Sequence, residues 1–352
     1  MRKFTCVIVS LLLLITCITG CKENTPPEIQ TENISIGVIE TKGDKDTSRI
    51  IFYDSDMNEL GALPLEYATV GNIFYSPLVI DDTLYVIPQG RANKKDAKTV
   101  LEISLSNLEI KTHTIAQLAM NSVAANERFV YTCNTFNGVS YINKCNRNTG
   151  KTESIDIPAT YISKLLFVKD RLYAFGTIDT ENVMHSELYV YDEDLNLLDK
   201  TDISKYGANQ YKALEQNGNI YFTSLTDQND NPISTVGVFN TSDSSVEKIQ
   251  LTMEHPLDLA IHDGKLYVTH FNVVQLIGGG LSVYNLETGE VKDYTFEHGA
   301  EQMLISNGYL HILSDWKIYR YDLSDMELIK CVDVSKMDNS YSYLSGIFAL
   351  EN

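Results

Sequence analysis

The stretch HDGKLYVTHFNVVQLIGGGLSVYNLETGEVKDYTF, residues 262–296, decides the fold of this 352-residue chain. It contains two runs of alternating apolar and polar residues. Each run is interrupted by a tight-turn sequence, Asp263-Gly264 in the first and Thr288-Gly289 in the second. Alternation of period two around turns of this kind is typical of antiparallel β-hairpins. The stretch therefore predicts four antiparallel strands in succession.

Weaker copies of this stretch recur along the chain. When the apolar residue after the first turn is taken as an anchor, consecutive copies lie 43 to 48 residues apart. A fixed period of this length, built from strands, predicts repeated four-stranded units that bury both sheet faces only when neighbouring units stack. The anchors are Leu84, Phe129, Leu172, Ile220, Leu266 and Leu310.

The two ends of the chain complete the count of hairpins. The first hairpin of the repeat occurs six times and the second seven times, beginning with IIFYDSDMNELGAL at residues 50–63. SGIFALEN at residues 345–352 and ISIGVIE at residues 34–40 both have a strand pattern and supply the missing hairpin. We predict an all-β fold over residues 34–352, a seven-bladed β-propeller of four-stranded antiparallel blades. One C-terminal and three N-terminal strands close the ring, so that no long sheet edge stays exposed.

Tyr267-Val268-Thr269 and VYNLETGEV at residues 283–291 resemble the YVTN-type and quinoprotein-like propeller repeats. His270 stands where that repeat usually has Asn. The superfamily includes binding scaffolds, surface proteins, lactonases and dehydrogenases, and some of its members are extracytoplasmic. The resemblance therefore implies the propeller and leaves open whether the protein binds or catalyses.

The N-terminus predicts export and lipid anchoring. Arg2 and Lys3 precede an apolar run that is shorter than a bilayer span requires. ITGC at residues 18–21 resembles the lipobox of bacterial lipoproteins, which implies cleavage before Cys21 and a lipid on that cysteine. We expect a signal peptide at residues 1–20 and a flexible tether at residues 21–33. The expected location is the bacterial cell envelope, outside the cytoplasm, with the lipid on Cys21 in the membrane; a plain secretory peptide is the alternative.

Charge and cysteine usage limit the choice of partner and chemistry. The formal net charge is −19, and so acidic a surface repels nucleic acid, which rules out this class of partner. Cys133 and Cys145 are expected on neighbouring strands, where a disulfide is an open alternative to two packing residues. Of the three cysteines that follow Cys21 in the sequence, Cys331 is then left without a partner.

The lengths of the connections indicate which face of the ring carries function. The turns inside the hairpins are short, whereas the sequence predicts longer connections between second and third strands. In a propeller these connections, and those that lead into each innermost strand, emerge on one face, which we call the long-loop face. Loops on a rigid scaffold commonly bear binding groups. The longer connections are predicted at residues 89–98, 177–186, 225–234 and 271–280.

A polar ring is predicted where the central channel opens on the long-loop face. Eight residues before each anchor, at the expected start of the innermost strand, the sequence has a polar residue, and six residues before it an apolar one. Because polar groups are costly to bury without partners, this order predicts a wet channel mouth above an apolar interior. A water-filled channel without a ligand would need the same polarity. The candidate ligand-binding residues are Ser76, Asn121, Lys164, Lys212, Asp258 and Gln302, with nearby His255.

The sequence lacks the short motifs of common catalytic and metal sites. It has no HExxH, no Cys-x-x-Cys and no Gly-x-Ser-x-Gly, so no catalytic residue is assigned. IGGGL at residues 277–281 has no helix after it and predicts a flexible hairpin loop. The polar turn at residues 227–231 offers oxygen ligands for Ca²⁺ without the usual loop spacing, so no metal or cofactor is predicted and Ca²⁺ stays open.

These observations favour a membrane-anchored binding module for an unknown small ligand or an envelope protein. The alternative is a lactonase- or quinoprotein-like enzyme with its site at the channel mouth. A structural scaffold with an idle channel is the third hypothesis. It differs from the first in predicting that substitutions in the loops leave capture of a partner unchanged.

Overall fold

Residues 29–72, 76–90, 95–118, 120–338 and 340–350 are described by a computed structural model. Within these ranges the strands form seven four-stranded antiparallel sheets, the blades of a β-propeller. The first strand of each blade contacts the first strands of the neighbouring blades and so lines the central channel. The C-terminal strand pairs with the first strand of the chain and forms one sheet with the first three, which confirms the predicted closure of the ring.

The blades are numbered along the chain and are given with their strands from the channel outwards. Blade 1 contains β28 (Tyr343–Ala349), β1 (Ile36–Thr41), β2 (Ser48–Tyr53) and β3 (Glu59–Leu65); blade 2 contains β4 (Leu78–Ile80), β5 (Thr83–Val86), β6 (Thr99–Ser104) and β7 (Ile110–Thr114). Blade 3 contains β8 (Met120–Ala125), β9 (Phe129–Phe136), β10 (Val139–Asn146) and β11 (Thr152–Pro158); blade 4 contains β12 (Tyr161–Val168), β13 (Arg171–Thr180), β14 (Val183–Asp192) and β15 (Leu197–Asp202). Blade 5 contains β16 (Ala208–Gln216), β17 (Asn219–Thr226), β18 (Thr235–Asn240) and β19 (Val246–Gln250); blade 6 contains β20 (Pro256–His262), β21 (Lys265–Asn272), β22 (Ile277–Asn285) and β23 (Val291–Thr295). Blade 7 contains β24 (Gln302–Ser306), β25 (Tyr309–Ser314), β26 (Lys317–Asp322) and β27 (Leu328–Asp333); short 3₁₀ helices lie at Thr31–Asn33, Lys95–Lys98 and Ser204–Tyr206.

Turn chemistry explains why these strands form hairpins. Asn217-Gly218, between the first and second strands of blade 5, has positive φ at both residues, a conformation that suits Asn and Gly and matches strand twist. Between third and fourth strands, a side-chain oxygen often closes the turn: Asp54 Oδ1 accepts hydrogen bonds from the backbone N–H of Asp56 (2.9 Å) and Asn58 (2.8 Å). The same arrangement recurs at Asn146, Asp192, Asn240, Asn285 and Asp322.

The hydrophobic cores lie between blades. Each buried cluster takes its residues from two adjacent blades, all the way round the ring. Between blades 4 and 5, for example, the rings of Phe175 and Phe222 pack with their centroids 5.2 Å apart. All six anchor residues of the sequence repeat are buried, as predicted. A blade is therefore stabilised by its neighbours, because its own two faces are both apolar.

Two buried charged side chains, Glu40 in β1 and Lys42 directly after that strand, hold the connection that leads into β28. Glu40 is fully buried, and its carboxylate accepts hydrogen bonds from the backbone N–H of Met337 (3.0 Å) and from Ser342 Oγ (2.8 Å). It also forms an ion pair with Arg49 (2.8 Å). Lys42 Nζ, also buried, donates to Asp338 (2.6 Å) and Ser340 (2.6 Å). The point where the ring closes is therefore fixed by polar contacts in addition to the β28–β1 ladder.

The folded part begins before residue 34. Ile29 packs on the core between blades 1 and 2, and Thr31 Oγ1 donates a hydrogen bond to the carbonyl of Ser106 (2.7 Å). Residues 29–33, which the sequence assigned to a flexible tether, thus lie on the face opposite the long-loop face, which we call the short-turn face. Cys21 and the signal segment at residues 1–20 lie outside the described residues. No helix in the described ranges has the length and apolar character needed to cross a membrane.

Two of the four predicted long connections are extended hairpins. Residues 177–186 belong mostly to β13 and β14, which are joined by a two-residue turn at 181–182. Residues 271–280 belong partly to β21 and β22, with a four-residue turn at 273–276. The sequence interpretation was wrong here because it assigned polar strand residues to a loop. Thr177 and Ser186, for example, face each other inside the sheet, where their side-chain oxygens lie 3.3 Å apart.

The cysteines of blade 3 do not form a disulfide. Cys133 pairs in register with Ile142, three positions from Cys145, so the two thiols point to opposite faces of the blade. Cys133 lies in the core shared with blade 4 and Cys145 in the core shared with blade 2. Both thiols are buried and free, and Cys331 is exposed and free. Burial raises the pKa of Cys133 to about 12, so it is a packing residue.

Candidate functional site

Bulges in the innermost strands position the predicted polar ring. In five blades the first strand carries an extra residue near the long-loop face, where the register with its partner strand shifts. A bulge leaves a residue out of the ladder and re-aims its side chain. Asn121, Lys212 and Asp258 lie in three of these bulges, and Lys164 follows directly after another. The bulges therefore bring side chains of different blades together at one end of the channel.

Asp258 connects four blades at this end. It is 1% exposed, and Oδ1 pairs with Lys212 Nζ of blade 5 at 3.0 Å. Oδ2 accepts hydrogen bonds from the backbone N–H of Met303 in blade 7 (2.9 Å) and from Ser76 Oγ, at the start of blade 2 across the channel (3.1 Å). Three predicted residues, Ser76, Lys212 and Asp258, thus form one network.

Lys164 lies beside this network on a small open cavity between blades 2, 3 and 4. The cavity has a volume of about 60 Å³. Among the described residues, none forms a hydrogen bond or an ion pair with the ammonium of Lys164. Burial lowers the pKa of Lys164, and the nearby Lys212 ammonium lowers it further, to about 8. The polar residues around the cavity are Asn72, Ser76, Gln89, Asn121, Ser122 and Lys164.

Asn121 and Gln302 tie blades together. Asn121 Nδ2 donates to the carbonyl of Ile162 in blade 4 (3.4 Å), and Gln302 Oε1 accepts from the backbone N–H of Ile347 in blade 1 (3.0 Å). Asn121 also faces the Lys164 cavity, whereas Gln302 faces a separate cavity of about 230 Å³ between blades 7 and 1. The polar ring therefore divides into residues that hold the blades and residues that surround free space.

His255 does not belong to the ring. It lies on a different cavity, of about 250 Å³, between the long-loop ends of blades 5 and 6, where its Nε2 is 3.1 Å from Asn272 Nδ2. The sequence groups His255 with Asp258, but no hydrogen bond or ion pair joins the two among the described residues. The bulge at residues 257–258 explains the separation, because it sends the Asp258 side chain into the channel while His255 stays at the rim.

The sequence interpretation missed two features of this face. Gln89 and Ser122 line the Lys164 cavity. Neither residue belongs to the predicted ring, but both lie next to it, and this proximity is the signal that could have identified them. IGGGL is part of strand β22, and its glycines serve close packing: a Cβ at Gly279 would lie 2.4 Å from the carbonyl oxygen of His298. The neighbouring turn projects apolar side chains into solvent, which a strand pattern alone would place in a core.

In the described ranges, no three side chains of His, Cys, Asp or Glu lie together in a way that could hold a metal ion. The polar turn at residues 227–231 is closed by its own hydrogen bonds: Asp227 Oδ1 accepts from the backbone N–H of Asn229 (2.7 Å) and Asn231 (2.9 Å).

Comparison with known proteins places the fold among solved propellers. No protein-family model and no curated protein matches the chain. A functionally unknown protein from Desulfotomaculum acetoxidans DSM 771 is similar with a TM-score of 0.60 and 15% identity, over 89% of this chain and 98% of that one. The dihydro-heme d1 dehydrogenase NirN, solved in complex with DHE, has a TM-score of 0.54 and 11% identity, over 93% and 82%. Apo AztD from Citrobacter koseri has a TM-score of 0.51 and 11% identity, over 90% and 98%. At these identities the likeness shows the fold: the chain is a seven-bladed β-propeller of the kind found in both enzymes and other proteins.

Proposed function

We propose that the protein is a lipid-anchored, extracytoplasmic binding module that holds the anionic end of a small ligand at the long-loop end of its channel. The anchor rests on the lipobox-like residues that end at Cys21. The observation that carries the ligand is Lys164, a cation on a cavity wall that forms no ion pair and no hydrogen bond with another described residue.

Charge balance at the channel favours an anion. Lys212 and Asp258 form an ion pair at 3.0 Å and neutralise each other, so the positive charge of Lys164 stays in excess among these three side chains. A bound carboxylate would offset the burial and the repulsion by Lys212 that lower the Lys164 pKa. Hydrogen bonds between charged groups contribute about 1.5–3 kcal/mol, enough to select an anionic group over a neutral one.

The volume of the cavity limits how much of the ligand enters it. The free space of about 60 Å³ has room for a few water-sized groups, at about 10–15 Å³ of such space for each. A carboxylate fits this space, and the rest of the ligand extends towards the channel mouth. The amide of Gln89 lies on the cavity wall, where it can donate a hydrogen bond that orients the carboxylate.

The test is binding of carboxylates to the protein purified from its own bacterium. Native mass spectrometry should first show any ligand that co-purifies, and calorimetry with a series of mono- and dicarboxylates should then rank affinity. Lys164→Met should weaken binding about ten-fold or more, which corresponds to at least about 1.4 kcal/mol, because the ligand charge loses its partner. Thermal melting checks that the variant is folded.

Lys205→Met is the matched control, since Lys205 is exposed on the same face and outside the channel. It should bind as the wild type does. Equal affinity in Lys164→Met and wild type, or an absence of carboxylate binding in both, would refute the proposal. Turnover of the bound ligand would instead support the enzyme alternative at the same site.

A further inference from the structure

The exposed apolar side chains of this protein are concentrated on one face. Among the described residues, the large apolar side chains that are exposed fall into two groups. One group of four lies on the outermost strands β15 and β27, and the other seven lie at turns and strand ends of the long-loop face. The densest group is the turn between β21 and β22, where Val274 is 87%, Leu276 62% and Ile277 60% exposed. We call these three residues the apolar tip.

The apolar tip is held in one conformation. Asn272 Oδ1 accepts hydrogen bonds from the backbone N–H of Val274 (3.0 Å) and Gln275 (2.9 Å), and the Asn272 carbonyl accepts from Leu276 (2.8 Å). The amide of Asn272 contacts the ring of His255 (3.1 Å), which fixes the tip to the neighbouring connection. A preformed apolar group loses little entropy on binding, which is the property of an anchor residue in an interface.

A cavity lies directly beside the tip. Its volume is about 250 Å³, and Leu225, Pro232 and Phe271 form its apolar side. Val273 and Val274 also line it, so the tip itself forms part of the cavity wall. An exposed knob next to an apolar cavity is a two-part surface on which another protein can both cover and insert side chains.

The surroundings of the tip are acidic. The neighbouring connections at residues 227–234, 251–255 and 296–301 contain no Lys and no Arg. Carboxylates at this density repel anionic lipid headgroups and a second copy of the same face, and they attract a basic surface. The carboxylates in these connections are Asp227, Asp230, Glu254, Glu297 and Glu301.

The chain enters the ring on the opposite side. Ile29 and Thr31 pack on the short-turn face, and Ile29 lies only eight residues after Cys21 in the sequence. Eight residues span at most about 29 Å when fully extended. With Cys21 in a membrane, as proposed above, the short-turn face is held near the bilayer and the apolar tip points away from it.

We propose that the apolar tip docks a second envelope protein, one whose contact surface combines an apolar pocket with a basic rim. The charge around the tip and the side on which the chain enters both favour this partner over a bilayer and over another copy of the chain. The proposal takes only the orientation from the proposed lipid anchor, and it does not use the Lys164 cavity.

Site-specific photo-crosslinking in the protein's own bacterium tests this, with the full-length chain carrying a photoreactive residue in place of Val274. We expect a discrete adduct with one protein, and sequencing of the crosslinked peptide should show a basic and apolar segment. The matched control places the same residue at Leu198, which is 51% exposed on the outer strand β15, and should give no such adduct.

The purified pair then allows a quantitative measurement. Leu276→Asp should raise the dissociation constant at least ten-fold and leave the thermal midpoint of the propeller unchanged, because the side chain is exposed. Lys164→Met should leave this constant unchanged, which separates the docking surface from the ligand site. Adducts with lipid, with a second copy of the chain, equally from both positions, or from neither would overturn the proposal.

Discussion

Asp258 illustrates how one side chain can serve both the fold and the site. Its carboxylate is buried and receives donors from blades 2, 5 and 7 as well as from its own strand, where the backbone N–H of Leu259 lies 2.9 Å from Oδ1. A buried charge is stable only when paired and hydrogen-bonded. Since the partners come from blades that are far apart in sequence, the network forms only in the closed ring.

Replacing Asp258 should therefore destabilise the whole propeller. Asp258→Ala leaves Lys212, whose side chain is 11% exposed, without its counter-charge and the N–H of Met303 without its acceptor. We expect the free energy of unfolding in urea to fall by about 3–5 kcal/mol. Asp170 is the control, because its side chain is 82% exposed and its ion pair with Arg171 is long at 3.9 Å. Asp170→Ala should change the free energy of unfolding by less than about 0.5 kcal/mol. Similar losses in both variants would contradict this account of Asp258.

His311 gives the fold a dependence on pH. Burial lowers the pKa of His311, and the Arg320 guanidinium lowers it further, to about 3. Its Nε2 accepts a hydrogen bond from Arg320 Nε at 3.0 Å, which requires the neutral ring. The unfolded chain takes up this proton near pH 6.5, whereas the folded chain does not. The stability that the neutral ring contributes is thus complete above about pH 6.5 and is lost progressively as the pH falls towards about 3.

The variant His311→Gln should flatten this profile. Between about pH 6.5 and pH 4.5 its free energy of unfolding should fall less than that of the wild type, by a difference that approaches about 1.4 kcal/mol per pH unit. Urea denaturation at the two pH values measures it. His262→Gln, at the exposed end of β20, should follow the wild-type profile. Parallel profiles for His311→Gln and wild type would show that His311 is not the group responsible.

At the scale of the strand, the hairpins could be predicted and the bulges could not. The anchors Leu84 to Leu310 mark strands because period-two alternation and Asn-Gly turns act over a few neighbouring residues. A bulge is one extra residue whose partner lies on another strand, so nothing local distinguishes Asn121 or Asp258 from a regular strand residue. For the same reason the sequence indicated which polar residues approach the channel, and did not indicate that Gln302 bonds a neighbouring blade while Lys164 faces a cavity.

The strand that closes the ring depends on a glycine. Gly37 of β1 pairs with Phe348 of β28, and the aromatic ring lies so close over Gly37 that a Cβ there would be 2.1 Å from it. Gly37→Ala should force Phe348 out of its position and lower the free energy of unfolding by about 1–3 kcal/mol. Gly43→Ala is the matched control, because the nearest atom to its Cβ is 4.0 Å away, and it should be neutral within about 0.5 kcal/mol. Equal effects of the two substitutions on the urea midpoint would rule out the steric explanation.

At the scale of the whole molecule, the sequence predicted the ring and its closure because both follow from counting hairpins. The boundary of the ring could not be counted. Ile29 and Thr31 contact blades 1 and 2 without any repeat pattern, so their packing depends on surfaces that exist only after folding. The cysteines of blade 3 follow the same rule: adjacent strands could be predicted for Cys133 and Cys145, whereas their opposite directions depend on the register.

When the contacts of Glu40 are removed, we expect the ring to open first at β28, the strand that closes it. This buried carboxylate holds Met337, Ser342 and Arg49 at the entry to β28, so Glu40→Ala leaves a buried N–H and a cation unpaired at the junction of the two chain ends. Amides of β28 should then lose protection from hydrogen exchange by a larger factor than amides of β13, because a chain end detaches at less cost than a central strand. Glu181→Ala, at an exposed turn between β13 and β14, should leave both sets unchanged. If β28 and β13 lost protection equally in Glu40→Ala, the ring would open as one cooperative unit, and the polar contacts of Glu40 would stabilise the whole propeller rather than its closing strand.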